Sequence, residues 1–318
     1  MKKLLIIALI FITIGGIILG VAFIMGLSKD MLAAQKSEIF NYEPASQTFS
    51  QPFTNIEIEL TIQRLELHLE TRTDVKVDYF TSNEYEISTI VESNTFKFIS
   101  RNQKWVYSSL FSIFNLFDYQ ENVVKVYVPN IPYNEIKISV MNSSLSFNNL
   151  ESQKLNVKVT NGNLSLTNGK VTECFLSTTN GSIKVDNFMG LLLNCETTNG
   201  QIEGKSITTS DSIKFKTTND RVTLSNSEST NIEVKSTNGN IEVKGTVFTK
   251  LDAKTTNGKI SLSTSFSIND YKQSFSTTNG SIYINSVWHG TKHANSKPDT
   301  KSIILKTTNG PIYVTSIE

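Results

Sequence analysis

The chain has few of the residues that build metal sites, disulfide scaffolds or catalytic triads. Its 318 residues include two cysteines, Cys174 and Cys195, and three histidines, His68, His289 and His293. Two cysteines are too few for a disulfide framework, and their spacing is not that of a metal-binding or redox pair. His289 and His293 have the i, i+4 spacing of a helical metal pair, but the HGTKHANSKPD context favours a plain loop. We therefore expect no catalytic residue, no metal site and no cofactor.

An excess of charge of one sign is also lacking. The 30 basic and 29 acidic residues give a formal net charge of +1. A chain with so little net charge has no strong overall electrostatic potential that would attract nucleic acid. A charged partner must therefore be recognised by a local stripe of charge. The sequence predicts no nucleic-acid partner.

A second long apolar run is lacking too, since only residues 4–27 are continuously apolar, apart from Thr13 and four glycines. A helix needs about 20 such residues to cross a bilayer, whereas a cleaved signal peptide has an apolar region of about 7 to 15. The length favours an uncleaved transmembrane anchor over a cleaved signal. Lys2 and Lys3 should stay in the cytoplasm. We expect a single-pass protein of the cell membrane with its bulk outside.

Within this span, Gly16 and Gly20 have the small-xxx-small spacing that lets two helices approach closely. Glycine is also simply common in membrane helices, and that interpretation is the simpler one. The pair is a candidate helix face for homo-oligomer formation.

The remaining residues divide by pattern. From Phe53 onward apolar residues alternate with polar ones, beginning with Ile56, Ile58 and Leu60, which is typical of half-buried strands. The predicted organisation is a cytoplasmic N-terminus (1–3), the anchor (4–27), a linker (28–51), a β-rich N-terminal cap with an aromatic insert (52–135) and a repeat region (136–318).

The repeat region carries the strongest signal, a tetrapeptide resembling Thr-Thr-Asn-Gly at steps of 19, 19, 19, 20, 19, 19, 22 and 30 residues. Aliphatic residues occupy the same offsets around each copy, which is the mark of a stacked-repeat architecture. The asparagines of this predicted turn ladder are Asn142, Asn161, Asn180, Asn199, Asn219, Asn238, Asn257, Asn279 and Asn309.

Each repeat predicts two short strands joined at Asn-Gly, where we expect a residue with positive φ. Separate antiparallel hairpins would use Asn-Gly as well. A parallel β-solenoid, similar to a parallel β-helix, is favoured because equivalent asparagines and threonines can then hydrogen-bond along a stack spaced about 4.8 Å per coil. Nine coils would make a rod of about 43 Å. The predicted fold class is all-β.

Both ends of such a rod must be covered, since unpaired strands template association. The N-terminal strands and an aromatic segment, with Trp105, Phe111, Phe114 and Phe117, either cap the first coil or contact the membrane or a partner. At the other end the last strand, with Pro311 before it, is predicted to be an open edge and a route to homo-oligomers. The 11-residue excess between Asn285 and Ser302 is expected to project as a loop, with Trp288 as a further partner or membrane contact.

One outward column of the repeats is rich in lysine. Lys216, Lys235 and Lys254 lie three residues before successive asparagines. In a stack they would line up and bind an anionic polymer such as teichoic acid or a phospholipid surface. Alternatively, Glu233 and Asp252 neutralise them.

Two strand segments, NIEIEL and LELHLETRTDVKVDYF, are followed by VKVYVP and by repeated TTNGxIxV units. This pattern resembles the bacterial β-strand-repeat proteins classed as putative adhesins, a domain of unknown function, and is similar to the outer domain of envelope-stress regulators of the Lia type. The resemblance implies a surface β-solenoid of Gram-positive bacteria and supplies no catalytic residue.

Three functions are left open: an adhesin-like or structural module that binds an envelope polymer or a protein, a regulator of envelope-stress signalling, and a polysaccharide-active β-helix enzyme. The last requires acids clustered between coils, and the repeat columns do not show such a cluster.

Overall fold

The computed structural model describes residues 43–82, 85–102 and 123–317, and this part of the chain is all-β. None of its segments is a helix of the length and hydrophobicity needed to cross a bilayer. The predicted anchor at residues 4–27, with its Gly16 and Gly20 face, lies outside the described residues.

The strands are short and follow one another closely along the chain. The N-terminal strands are β1 (Glu43–Phe49), β2 (Asn55–Leu60), β3 (Arg64–Glu70), β4 (Val75–Thr81), β5 (Tyr85–Glu92), β6 (Thr95–Asn102), β7 (Val123–Pro129) and β8 (Tyr133–Val140). The central strands are β9 (Leu145–Asn148), β10 (Glu151–Asn161), β11 (Leu164–Asn180), β12 (Ile183–Thr197), β13 (Ile202–Lys216), β14 (Val222–Ser225), β15 (Glu228–Lys235), β16 (Ile241–Lys244), β17 (Val247–Lys254) and β18 (Ile260–Ser263). The C-terminal strands are β19 (Lys272–Ser276), β20 (Ile282–Ile284), β21 (Val287–Trp288), β22 (Lys292–Ala294), β23 (Ser302–Lys306) and β24 (Ile312–Thr315).

Successive repeats stack in parallel and in register, because each coil must cover the apolar face of its neighbour. Leu155 lies opposite Cys174, Cys174 opposite Leu193, and Leu193 opposite Ile213. We call the strand segment before each Asn-Gly the first side of the rod and the segment after it the second side. A shorter third side follows, where Leu150, Val171 and Phe188 point inward.

The stack is longer than the repeats alone. Among the described residues the first side contains eleven parallel strands, in the order β6, β2, β8, β10, β11, β12, β13, β15, β17, β23 and β19. At about 4.8 Å per strand the rod is about 53 Å long. The coils formed by β2 with β3 and by β6 with β7 therefore extend the solenoid into residues 52–135, the predicted cap.

At the C-terminal end the spatial order of the coils differs from their order along the chain. Strand β23 pairs with both β17 and β19, and β24 pairs with both β18 and β20. The last coil in sequence is thus the second from the end of the rod. The expectation that the strand after Pro311 is an open edge is wrong, because both of its neighbours are present.

The outermost C-terminal coil is capped by the residues that were expected to project. After Asn285 the chain folds back, so that β21 pairs antiparallel with β20 and β22 pairs antiparallel with β19. The 11-residue excess therefore covers strand edges, which an exposed loop would have left free.

The N-terminal end is arranged in a similar way. The β2–β3 coil lies between the β6–β7 coil and the first repeat, while β5 and β4 pair antiparallel with β6 and β7. Strand β1 adds to β4. Residues 43–49, predicted as part of the linker, are therefore in a sheet. Their EPASQTF sequence has no apolar alternation, and backbone pairing with β4 orders them.

The interior is one continuous apolar core. Leu193, Phe215 and Ile241 are each 1% exposed or less. Cys174 and Cys195 are both buried and free, with each opposite a leucine of the neighbouring coil. Gln273 replaces an aliphatic residue in its column, and its Nε2 donates to the carbonyl oxygen of Ile268 at 2.8 Å.

The Asn-Gly corner does not have the backbone conformation that we expected. Gly162 has a φ of 157°, far from the left-handed turn value near +60°, and the glycines at positions 181, 200, 239, 258, 280 and 310 are not among the residues with positive φ. Instead, a Cβ on Gly181 would collide with the carbonyl oxygen of Gly162, and the same holds from coil to coil. Glycine is favoured at these six positions because neighbouring backbones approach closely, and Asp220 takes the equivalent position in one coil.

Candidate binding face of the solenoid

The nine repeat asparagines form one hydrogen-bonded ladder along an exposed corner. Each asparagine after Asn142 donates from its Nδ2 to the Oδ1 of the one before it at 2.6 to 2.8 Å, in the spatial order Asn142, Asn161, Asn180, Asn199, Asn219, Asn238, Asn257, Asn309 and Asn279. Each interior amide both donates and accepts. The ladder fixes the register of the coils and has a structural role.

In six repeats a threonine lies two residues before the asparagine, and its hydroxyl bonds to the backbone of the neighbouring coil. Thr197 Oγ1 donates to the carbonyl oxygen of Gly181 at 2.9 Å, and Thr217 Oγ1 donates to that of Gly200 at 2.8 Å. Both hydroxyls are buried, and each supplies a partner to a turn carbonyl of the preceding coil. The threonine column therefore ties coil to coil through the backbone.

Sequence reasoning missed a second ladder at the corner between the second and third sides. Asn149, Asn168 and Asn187 have φ values of 55°, 53° and 54°. Asn187 Nδ2 donates to Asn168 Oδ1 at 2.7 Å. Asparagine tolerates left-handed φ better than other side chains. Its 19-residue recurrence, seven residues after each TTNG asparagine, was the signal that could have revealed it.

The first side carries the predicted lysine column and extends it. Lys216 lies opposite Lys235, Lys235 opposite Lys254, and Lys254 opposite Lys306. Ser276 follows Lys254 along the chain, but the inserted last coil places Lys306 between them. The lysine column therefore has four members, Lys216, Lys235, Lys254 and Lys306.

The two inner lysines of this column are paired within their own strands. Lys235 forms an ion pair with Glu233, and Lys254 Nζ lies 2.6 Å from Asp252 Oδ2. Glu233 and Asp252 therefore neutralise two of the lysines, as the sequence allowed. Each carboxylate pairs with the lysine two residues later in its own strand. Lys216 and Lys306 are exposed and have no ion pair among the described residues.

The surrounding outward positions add further cations. We define the basic face as the four lysines of the column together with Lys214, Lys250, Glu233 and Asp252. Lys214 lies opposite Glu233. Lys250 and Asp252 border a shallow depression of about 310 Å³. Glu196 lies opposite Lys216 at one end of this face. Six lysines against these three carboxylates leave the face positive in a chain that is nearly neutral overall.

Glu233 and Asp252 are two carboxylates on neighbouring coils, directly opposite each other. A hydrogen bond from Lys235 and the charges of Lys235, Lys214 and Lys254 lower the pKa of Glu233. A general acid for glycoside cleavage needs the opposite shift. In the described part of the chain no three His, Cys, Asp or Glu side chains are grouped to hold a metal ion. The geometry is that of ion pairs.

The other residues singled out from sequence are dispersed. Trp105, Phe111, Phe114 and Phe117 lie outside the described residues. Trp288 is in the C-terminal cap and is 65% exposed. It does not lie on the basic face, so the structure separates these two predicted contact regions.

The three histidines occupy two structural settings. The ring of His68 stacks on Tyr127 with centroids 4.9 Å apart. The rings of His289 and His293 lie 5.0 Å apart in the cap, outside any helix. His293 Nε2 lies 2.8 Å from Gln273 Oε1. Burial, followed by the proximity of His289, lowers the pKa of His293.

A depression of about 930 Å³ lies on the sheet formed by β1, β4, β7 and β3. Its charged residues are largely paired: Lys76 Nζ is 2.8 Å from Asp78 Oδ2, and Lys125 Nζ is 3.9 Å from Glu66 Oε2. The hydrogen bonds of Asp78 with Lys76 and Ser46 lower its pKa against the effect of burial. This surface has no excess of cations comparable with the basic face.

The chain belongs to the Toastrack DUF4097 family, whose model matches residues 53–190 and 191–296. It is a family of unknown function. None of the curated proteins matches the chain.

Several solved structures are similar to this chain at low identity. A putative adhesin from Bacteroides fragilis is 12% identical, with 86% of this chain and 97% of that chain covered and a TM-score of 0.38. A putative lipid binding protein from Parabacteroides distasonis is 14% identical, with 87% and 97% covered and a TM-score of 0.41. A putative adhesin from Parabacteroides merdae is 12% identical, with 87% and 97% covered and a TM-score of 0.37.

Proposed function

We propose that this chain is a non-enzymatic, adhesin-like module, anchored in the cell membrane by residues 4–27, whose basic face binds an anionic polymer of the cell envelope. The observation that carries the proposal is the unbroken column of Lys216, Lys235, Lys254 and Lys306. A regular polyanion such as teichoic acid presents phosphates along a chain, and the rod presents ammonium groups along its axis.

The rigidity of the rod supports this function. Flexible surface lysines lose conformational entropy when they bind, whereas strands held in register fix the Cα atoms of all four lysines. Repeated charges about 4.8 Å apart also raise the local counter-ion concentration more than isolated charges do. A fixed row therefore favours an extended polyanion over a single small anion.

The unpaired ends of the column should contribute most. Lys216 and Lys306 can bind phosphate without first breaking an ion pair, while Lys235 and Lys254 must share their charge with Glu233 and Asp252. Exposed ion pairs are worth little in themselves, so the inner lysines remain available at a small cost.

The test is binding of purified wall teichoic acid to the full-length protein in nanodiscs, measured over a series of salt concentrations. The variant Lys216→Ala/Lys235→Ala/Lys254→Ala/Lys306→Ala should lose binding, and the wild type should bind more weakly as salt rises. A matched control removes four lysines from the second side, as Lys184→Ala/Lys205→Ala/Lys244→Ala/Lys259→Ala.

Unchanged binding by the four-lysine variant would refute the proposal. Equal loss in the control would show attraction to net charge alone, which also contradicts a dedicated face. A role in envelope-stress signalling, which the Lia-type resemblance implies, would appear separately as altered stress-gene expression on deletion of the gene.

A further inference from the structure

The outward surface of the second side changes character near the C-terminal end of the rod. Toward the middle, three strands carry charges of both signs, and the uncharged Thr223 and Ser225 of β14 lie between the second and the third of them. The charged residues are Lys184, Asp186, Glu203, Lys205, Glu242 and Lys244. On the next strands, β18, β24, β20 and β21, the equivalent positions carry no charge.

An aromatic row crosses three of these strands. Tyr313 lies opposite Tyr283, and Tyr283 lies opposite Trp288. The two tyrosine rings stack with centroids 5.3 Å apart and an interplanar angle of 10°. Tyr313 is 42% exposed and Trp288 is 65% exposed. Large aromatic groups are thus displayed near the C-terminal end of the rod.

Tyr283 covers only one face of the Tyr313 ring. On the other side, the residue opposite Tyr313 is Ser261. A serine side chain is too short to cover a tyrosine ring. The second face of Tyr313 is therefore open toward Ser261.

Hydroxyl and amide groups border this row. Ser263 lies opposite Thr315, and Asn285 Oδ1 accepts a hydrogen bond from the backbone N–H of Ser316 at 2.9 Å. Together with Ser261, these side chains form an uncharged polar margin beside the rings. The lysine column is separated from it, because Lys306 and Tyr313 lie on opposite sides of the Asn309–Gly310 corner.

The ligand class follows from this combination. An aromatic face carries partial negative charge and attracts the slightly positive C–H groups of a sugar ring. The hydroxyl and amide groups can meet sugar hydroxyls, and they would lose hydrogen bonds if the surface entered a lipid phase. The row itself carries no cation, and Lys244, which lies opposite Ser263, has Glu242 two residues before it on the same strand, so a polyanion would find no excess of positive charge here. We propose that the Tyr313–Tyr283–Trp288 row is a binding site for a neutral saccharide, with Tyr313 as its principal stacking platform.

This site is independent of the polyanion site, and the two can be tested separately. Trp105 and Trp288 are the two tryptophans of the chain. In a Trp105→Phe background, Trp288 fluorescence of the full-length protein in nanodiscs reports on the row. The probes are uncharged hexasaccharides of glucose, galactose, mannose and N-acetylglucosamine, with wall teichoic acid and phosphatidylcholine vesicles for comparison.

At least one hexasaccharide should shift Trp288 fluorescence saturably, and Tyr313→Ala should weaken its affinity about tenfold. Ser261→Arg should also weaken it by covering the open ring face, whereas Ser165→Arg, at the equivalent position near the other end, should not. Teichoic acid binding should be unchanged in Tyr313→Ala, which distinguishes failure of this inference from failure of the proposed function.

Three outcomes would overturn the inference. The first is that no hexasaccharide binds. The second is that binding to phosphatidylcholine vesicles depends on Tyr313, which would make the row a membrane contact. The third is a fluorescence change that follows protein concentration without sugar, which would make it a contact between two copies.

Discussion

Asn309 donates a hydrogen bond to Asn257 across 52 residues of sequence, at 2.7 Å, and accepts another from Asn279. The segment between Asn257 and Asn309 therefore leaves the stack, builds the outermost coil and its cap, and returns beneath them. The C-terminal coil consequently behaves as an interior part of the rod.

This topology predicts that the C-terminus is essential for stability. Removing residues 302–318 deletes Ile303, Leu305, Ile312 and Val314, all 1% exposed or less. At about 1.5 to 3 kcal/mol for each side chain, roughly 6 to 12 kcal/mol of burial is lost. We expect the truncated protein to lose cooperative thermal unfolding, as followed by circular dichroism.

A shorter deletion of residues 316–318 serves as the control and should cost much less, since it leaves both strands in place. A synthetic peptide of residues 301–318 should partly restore protease resistance to the truncated chain. Full stability of the longer truncation would mean that the last coil is not sandwiched between two others.

The sequence allowed the core to be predicted well because each coil repeats the same offsets. The repeat periodicity alone predicted a core position for Leu193, Phe215 and Ile241, and all three are buried. The order of the last two coils was not predictable in the same way. Both present a similar face to a neighbour, so local pattern does not decide whether Lys306 or Ser276 follows Lys254.

The local sequence pattern also did not reveal why the repeats carry glycine after the asparagine. An Asn-Gly pair is typical of a turn with positive φ, and that conformation belongs here to a different corner, at Asn149 and Asn168. The constraint on Gly200 comes from the carbonyl of Gly181 one coil away. A contact of this kind exists only after the coils are stacked.

Gly200→Ala should therefore destabilise the rod although the φ of Gly200 is not positive. The added methyl group meets the Gly181 carbonyl, and overpacking of this kind typically costs about 1 to 3 kcal/mol. The measurement is urea unfolding of the purified protein. Asp220→Ala is the matched control, because Asp220 occupies the same column and already carries a Cβ.

Glu233→Gln should strengthen binding of wall teichoic acid. The change frees Lys235 from its ion pair and removes a negative charge from the basic face. Because the pKa of Glu233 is lowered in the folded state, its ion pair stabilises the protein above the unfolded pKa, and that contribution is lost as pH falls through the folded pKa. The variant should thus be slightly less stable at neutral pH, by up to about 1 kcal/mol.

The control for this variant is Glu242→Gln, which removes the same charge from the second side. Titration of both proteins with teichoic acid at one salt concentration separates local from global charge. Equal affinities in the two variants would show that Glu233 does not limit the lysine column.

The two cysteines should be unreactive while the rod is folded. Burial raises the pKa of the Cys174 thiol and that of Cys195, so almost no thiolate forms near neutral pH. A chromogenic disulfide reagent should therefore label neither residue in the native protein and both in denaturant. Because opening of the central coils must precede labelling, the rate in low denaturant measures how often they separate. Rapid labelling without denaturant would show that these coils are less tightly packed than the continuous core indicates.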